Sequence, residues 1–211
     1  MSPRRAKAVG GRVGDDPAAA LRAHLIDVTE GLLGGAPLAS ITTRDIARAA
    51  GVSDGVLYNY FEDKTALVLA ALVQRYRRLA RRFFASLPEP GSSTVQANLE
   101  GFAVGLLGLI GEAMPMVAGL LTDPALLHRL FDEIHRDELS PQYMQARVGE
   151  YLLAEQRLGR LPAAADVAPV GTLLMGTIVV MALSGMFAIP AGVTPAAQLG
   201  PTVATILRGL G

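Results

Sequence analysis

The sequence predicts an all-α fold, with a small three-helix unit near the N-terminus joined by a long helix to a larger helical domain. Three observations carry this. Apolar residues recur at three- and four-residue spacing through most of the 211 residues, with no alternating strand pattern and no internal repeat. Prolines stand where helices begin, as at Pro124 and Pro141, a position where the missing N–H costs nothing. Breakers cluster between the periodic segments, as in the Pro-, Gly- and Ser-rich stretch 88–93.

The first 17 residues read as a flexible basic tail, with Arg4, Arg5, Lys7 and Arg12 among Gly10, Gly11, Gly14 and Pro17. They lack the apolar core of a secretory signal. Such an arm either tracks DNA phosphates or adds mild affinity without a fixed place, and the second reading is preferred. Residues 18–33 form a helix with Leu21, Leu25, Val28 and Leu32 on one stripe, stopped by Gly34, Gly35 and Pro37.

The next stretch, 42–64, reads TTRDIARAAGVSDGVLYNYFEDK and is the most informative. Thr42 and Asp45 form a T-x-x-D pattern suited to a capped helix start. Ile46, Ala47 and Ala50 make a narrow inward face, and Gly51 is placed to end the helix in the left-handed conformation. Val52 plugs the corner and Ser53 is expected to cap a second helix over 53–60. Val56, Leu57 and Phe61 anchor that helix inward, leaving Gly55, Tyr58, Asn59 and part of Tyr60 outside. A helix-Gly-helix unit of this kind is a helix-turn-helix, which presents its second helix to a DNA major groove. Asn59 is suited to an adenine edge, the Tyr58 and Tyr60 hydroxyls to phosphates, and Gly55 to close backbone approach. Lys64, after the capping candidate Asp63, is placed to neutralise a phosphate. The competing reading makes the aromatics core residues; it is preferred for Phe61 only.

Thr42, Asp45-Ile46-Ala47, Ala50-Gly51-Val52-Ser53, Gly55, Leu57-Tyr58, Tyr60-Phe61, Lys64 and Leu67 together resemble the DNA-binding domain of the TetR family of transcriptional regulators. The resemblance implies that Thr42, Tyr58 and Lys64 contact phosphates and that residues 53–59, with Ser53 and Val56 among them, read bases. Thr43 and Arg44 are taken with Thr42 as DNA-facing. Asp54 departs from the family pattern. Beside DNA it would repel phosphate or accept from a cytosine amino group; at the helix N-terminus it would simply favour the dipole, and this second reading is preferred.

Beyond this unit, residues 64–87 form the linking helix, apolar at first (Leu67, Val68, Ala71, Leu72) and then basic (Arg75, Arg77, Arg78, Arg81, Arg82). Helices follow over 94–111, losing definition at Met114-Pro115-Met116, then over 124–138, 141–160, 166–187 and 195–210. The expected organisation is a tail at 1–17, a helix-turn-helix domain at 18–63, and a ligand-binding and dimerisation domain at 64–211, of which 64–87 is the link. Charge follows this division. Residues 1–85 hold 13 Lys/Arg against 8 Asp/Glu, a balance of +5, and residues 86–211 hold 6 against 11, a balance of −5. A basic end suits nucleic acid and an acidic remainder suits a ligand or partner. Cysteine is absent, which excludes disulfides and thiolate sites.

Residues 167–207 carry no charge, and 167–189 is long enough to cross a bilayer. The preferred reading is a dimer core, because basic flanks are missing and Pro190 and Pro195 cut the segment from the next helix. The resemblance implies that the last two helices, about 166–187 and 195–210, pair with the same two of a second subunit. His128, Asp132 and His135 share one helix face and could ligate zinc, with Glu138 nearby, but nothing supplies a clear fourth ligand. Glu112 is a lone acid among apolar neighbours, read as reaching the surface. No nucleotide-loop or nucleophile-elbow motif is present.

The expectation is a cytoplasmic, non-enzymatic, ligand-responsive repressor without cofactor or metal, binding a palindromic double-stranded DNA operator as a homodimer. It would be released by a small, mostly apolar effector. Candidate pocket residues are Phe102, Leu106, Met114, Met116, His128, Phe131 and Met175. The alternatives are a membrane-attached helical protein using 167–189, and a helical metal-binding enzyme using His128, Asp132 and His135.

Overall fold

The computed structural model describes residues 16–36, 38–136, 140–186 and 194–210, so the expectations for the tail, Pro37, Glu138 and Pro190 lie outside the described residues. The described residues are helical, without strands. The helices are α1 (Pro17–Leu33), α2 (Thr43–Ala50), α3 (Asp54–Leu57), α4 (Lys64–Phe84), α5 (Val95–Gly119), α6 (Pro124–His135), α7 (Pro141–Arg157), α8 (Val170–Met186) and α9 (Pro195–Arg208), with a 3₁₀ turn at Leu38–Ser40 before α2. Contacts divide the chain into two compact units, 1–75 with 119–130, and 76–118 with 131–211. The division falls inside α4 at 75/76, where the sequence suggests a border at 63/64.

In the N-terminal unit, Asp16 caps α1 by accepting from the Ala18 amide at 3.0 Å, with Pro17 at the first helical position. The buried cluster combines Leu25 and Ile26 of α1, Ile41 just before α2, Ile46 and Ala47 of α2, Leu57, Phe61, and Leu67 and Ala71 of α4. Leu25 and Ile46 are fully buried, each contributing roughly 1.5–3 kcal/mol of transfer free energy. His24 Nε2 bonds the Ala50 carbonyl at 3.2 Å, tying α1 to the end of α2. Gln74 Nε2 donates to Asp27 Oδ1 at 2.6 Å, fastening α4 to α1.

In the C-terminal unit, α5 does not stop at Met114-Pro115-Met116 but runs through Pro115 to Gly119. Proline removes one helical hydrogen bond and crowds the carbonyl four residues back. Here that residue is Gly111, and both Gly111 and Pro115 are exposed, so water can satisfy the freed group. Phe83 meets Phe102 edge-on at 5.1 Å, and Phe84 meets Tyr143 at 5.4 Å, which seats α5 and α7 on the end of α4.

Within the described residues of the 167–189 segment α8 starts at Val170, later than expected, because 168–169 form a turn. The one described helix long and apolar enough to cross a membrane is α5 instead, and it carries Glu100 and Glu112, the latter paired with Arg82 at 2.5 Å.

Helix α8 packs on α7 and α9. At Gly171 an added Cβ would lie 2.7 Å from the Gln145 carbonyl oxygen, backbone against backbone. Gly171→Ala is therefore expected to cost about 1–3 kcal/mol by forcing the two helices apart. Urea unfolding of the purified variant measures this, and an unchanged midpoint would mean the helices are not in this close contact.

Candidate nucleic-acid interface

The unit around α2 and α3 is built by local bonds. Thr42 Oγ1 accepts from the Asp45 amide at 3.2 Å, and Asp45 Oδ2 accepts from the Thr42 amide at 3.0 Å and its hydroxyl at 2.6 Å. The Thr42 hydroxyl's bond holds the Asp45 carboxyl below the usual carboxylate range, helped by the Thr42 amide and by Arg48 and Arg44. At the other end of α2, Gly51 sits at φ 71° in the left-handed region. The Val52 amide reaches back to the Ala47 carbonyl at 3.0 Å, which turns the chain sharply. Val52 is half-buried and packs against the core cluster, filling the corner as its position suggested.

Two expectations for the second helix need correction. Ser53 holds the N-cap position, but its side chain makes no capping hydrogen bond. The α-helix spans only Asp54–Leu57 rather than 53–60. Beyond it the amides of Asn59 and Tyr60 bond Val56 and Leu57 carbonyls at 3.2 and 3.1 Å. The tighter three-residue bonding follows from a start without a side-chain cap and a glycine inside the turn.

The faces are nevertheless separated. Leu57 and Phe61 are buried, Val56 is half-buried, and Tyr60 is half-buried against the core. Tyr58 is 58% exposed and Asn59 and Gly55 are exposed. A Cβ at Gly55 would meet nothing within the subunit. Thr43 is half-buried while Arg44, Thr42 and Ser53 face solvent. Asp63 Oδ1 accepts from the Ala66 amide at 2.7 Å, capping α4 and leaving half-buried Lys64 at its first position.

Contacts that sequence spacing did not reveal neutralise this face. Asp54 Oδ2 lies 3.7 Å from Arg44 Nε, across the turn, so it pairs with α2 as well as standing in the first turn of α3. Arg48 Nη1 lies 3.7 Å from Asp45 Oδ1. Arg22 stacks over the Phe61 ring at 4.9 Å.

The C-terminal unit contains a cavity of about 840 Å³ between the end of α4, the start of α5 and α7. Of the expected pocket residues only Phe102 lines it; its walls also include Phe84, Tyr143, Tyr151, Arg147 and Glu150, with Asn98. These α7 residues were not singled out because a helix with charges on several faces shows no inward stripe. Leu106 and Met175 are core residues, Met114, Met116 and Phe131 are half-buried, and His128 is exposed. The Tyr151 hydroxyl is pushed up to about 12 by burial, with Glu155 beside it. Among the described residues no three His, Cys, Asp or Glu side chains converge to hold a metal. His135 stacks on Phe131 at 6.1 Å and approaches Gln142 Nε2 at 3.4 Å.

A capped helix, a left-handed glycine and an exposed polar turn, among described residues that are helical without strands, make up a helix-turn-helix of the kind that presents its second helix to DNA. Residues 25–71 match the family model of the bacterial regulatory proteins of the tetR family. No curated protein matches this sequence. Among solved structures, a TetR-family transcriptional regulator from Mesorhizobium loti superposes with TM-score 0.69 at 15% identity, over 93% of this chain and 97% of that one. A transcriptional regulator from Pseudomonas aeruginosa gives TM-score 0.62 at 22% identity, covering 93% and 92%. The regulator FadR from Bacillus subtilis, solved with stearoyl-CoA, gives 0.58 at 15%, covering 90% and 99%. At these identities the likeness is one of fold.

Proposed function

We propose that this protein is a ligand-responsive, cytoplasmic repressor that binds a palindromic operator as a homodimer. The observation that carries the DNA assignment is the exposed polar turn at Gly55, Tyr58 and Asn59 beside Lys64, held by a core that needs none of these side chains. Tyr58, Lys64 and Thr42 contact phosphates, with Thr43 and Tyr60 nearby. Asn59, with Ser53, Asp54, Gly55 and Val56 around it, meets base edges, and Arg44 flanks them. Two copies would read grooves one helical turn, ~34–36 Å, apart.

Dimerisation through α8 and α9 is supported by an outward stripe on α8. Leu173 and Val180 are 52% and 63% exposed, with Gly176 between them, one helical face of apolar and small residues. The effector site is the cavity bounded by Phe84, Phe102 and Tyr143. Arg147 and Glu150 on its wall favour a molecule with polar groups as well as an apolar body, a revision of the mostly apolar effector expected from sequence. FadR, of the same fold, holds an acyl-CoA, which supports a small-molecule effector for this chain.

The test is binding at fixed salt to fragments of the source genome selected by the protein and searched for an inverted repeat. Lys64→Ala and Tyr58→Phe should weaken binding to all sequences, Lys64→Ala lowering the salt slope by about one. Asn59→Ala should cost roughly 1–3 kcal/mol and relax preference at particular base pairs. Unchanged operator affinity in all three would reject the groove assignment.

A further inference from the structure

The cavity of about 840 Å³ in the C-terminal unit is walled by rings from three helices. The chain has six Phe, five Tyr and no Trp, and four of these rings, Phe84, Phe102, Tyr143 and Tyr151, line this one space. Phe84 ends α4, Phe102 stands on α5, and both tyrosines stand on α7. The Phe84 and Tyr143 rings lie 5.4 Å apart and are inclined by 55°, so the wall offers both ring faces and ring edges. Pro88 and Pro90 add two more stiff rings, and among the described residues no methionine lines the cavity. Such walls gain most from another ring, seated face-offset or edge-on at centroid distances of ~4.5–7 Å. A flexible chain gains only contact area from them, and the adaptable thioethers that follow an irregular shape are missing.

The charges on the wall cancel. Glu89 and Glu150 stand against Arg147 and Arg157, and Arg147 Nη1 already donates to Glu150 Oε2 at 2.6 Å. An ionised ligand would therefore leave water with no excess of opposite charge to meet it. Tyr151, pushed up to about 12 by burial, keeps its proton at neutral pH. One neutral polar group on the wall has capacity to spare. Asn98 is 5% exposed and lines the cavity, and its Nδ2 reaches Ser92 Oγ only at 3.5 Å, the limit of a hydrogen bond. A primary amide has two donors and an acceptor, which leaves this side chain room for a polar atom of a ligand.

We infer, on the reading of this cavity as the effector site, that the effector is an uncharged, planar polycyclic aromatic molecule bearing a hydroxyl or carbonyl group. Phe84, Phe102 and Tyr143 hold its rings, and Asn98 takes its polar atom.

Calorimetric titration of the full-length protein with 9-phenanthrol, phenanthrene-9-carboxylate and dodecanoate tests this. 9-Phenanthrol is expected to bind once per subunit and roughly tenfold tighter than either of the others, the equivalent of two ring pairs. Asn98→Leu should weaken its binding roughly fivefold, the share of one hydrogen bond. Tyr143→Leu, at a half-buried position where folding is less at risk, should cut its advantage over dodecanoate to about threefold or less. Dodecanoate binding as tightly as 9-phenanthrol, or tighter, overturns the aromatic class and leaves the effector site standing. The carboxylate binding as tightly, or tighter, overturns the requirement for an uncharged molecule. If none of the three binds, the cavity is not an effector site, and the inferred ligand class falls with it.

Discussion

Arg160→Ala is expected to lower the unfolding free energy by about 3 kcal/mol, the low end for breaking a buried ion pair when the lost partner is partly exposed. Glu155 has no exposed surface, whereas the Arg160 side chain is 29% exposed. Arg160 Nη1 lies 3.2 Å from Glu155 Oε2, the Gly91 amide donates to Glu155 Oε1 at 3.1 Å, and Arg160 also donates to the Ser93 carbonyl. The carboxylate thus clamps the loop after α4 onto the end of α7, and removing the arginine leaves a buried charge with one amide. Urea unfolding of Arg160→Ala, Glu155→Gln and the double variant separates the pair from its desolvation. A loss below about 1 kcal/mol in Arg160→Ala would show that Gly91 and solvent suffice to hold Glu155. Since Glu89 and Pro90 in that loop line the cavity, the destabilised variant should also bind effectors less tightly.

Ile46→Ala carries the other large effect. Ile46 has no exposed surface and is held among Leu25, Leu57, Phe61 and Leu67. Removing three carbons from such a site costs roughly 2–5 kcal/mol, the spread reflecting how far the neighbours close in. The N-terminal unit is small, so a loss of this size is a large share of its stability. Thermal unfolding should show a lowered midpoint, and DNA binding should fail at a lower temperature than in the parent. A shift under about 1 kcal/mol would mean that α1 and α4 collapse into the space.

The N-terminal unit was legible because its signals are local. Thr42 and Asp45 are three residues apart and bond each other, and Gly51 needs only its own backbone conformation to end α2. The inward set of Ile46, Leu57 and Phe61 follows from helical periodicity, and burial agrees. Less legible was the length of the second helix. A periodicity that fits 53–60 does not say whether Ser53 will cap, and without that bond only Asp54–Leu57 stays α-helical. The break expected at Pro115 failed for a related reason, since the cost of proline depends on whether the freed carbonyl meets water.

Pairings across the chain were out of reach. Asp54 read as either a DNA-facing acid or a helix-dipole acid, and the ion pair to Arg44 depends on how the turn brings α2 beside α3. Glu155 and Gly91 are 64 residues apart, and no periodicity marks a carboxylate destined for a loop amide. The lining of the cavity between α4, α5 and α7 was equally out of reach: α7 brings Tyr143, Arg147 and Tyr151 to it, and no local signal in the sequence marks them.

The sequence by itself determined the helical class, the helix-turn-helix and its resemblance to the TetR family, because caps, breakers and periodicity act within a few residues. It also set the total charge of each half. Only the tertiary structure decided which of those charges are engaged. Coulomb attraction at a few ångströms depends on neighbours in space, and folding pairs the acids with Arg44, Arg48 and the helix starts.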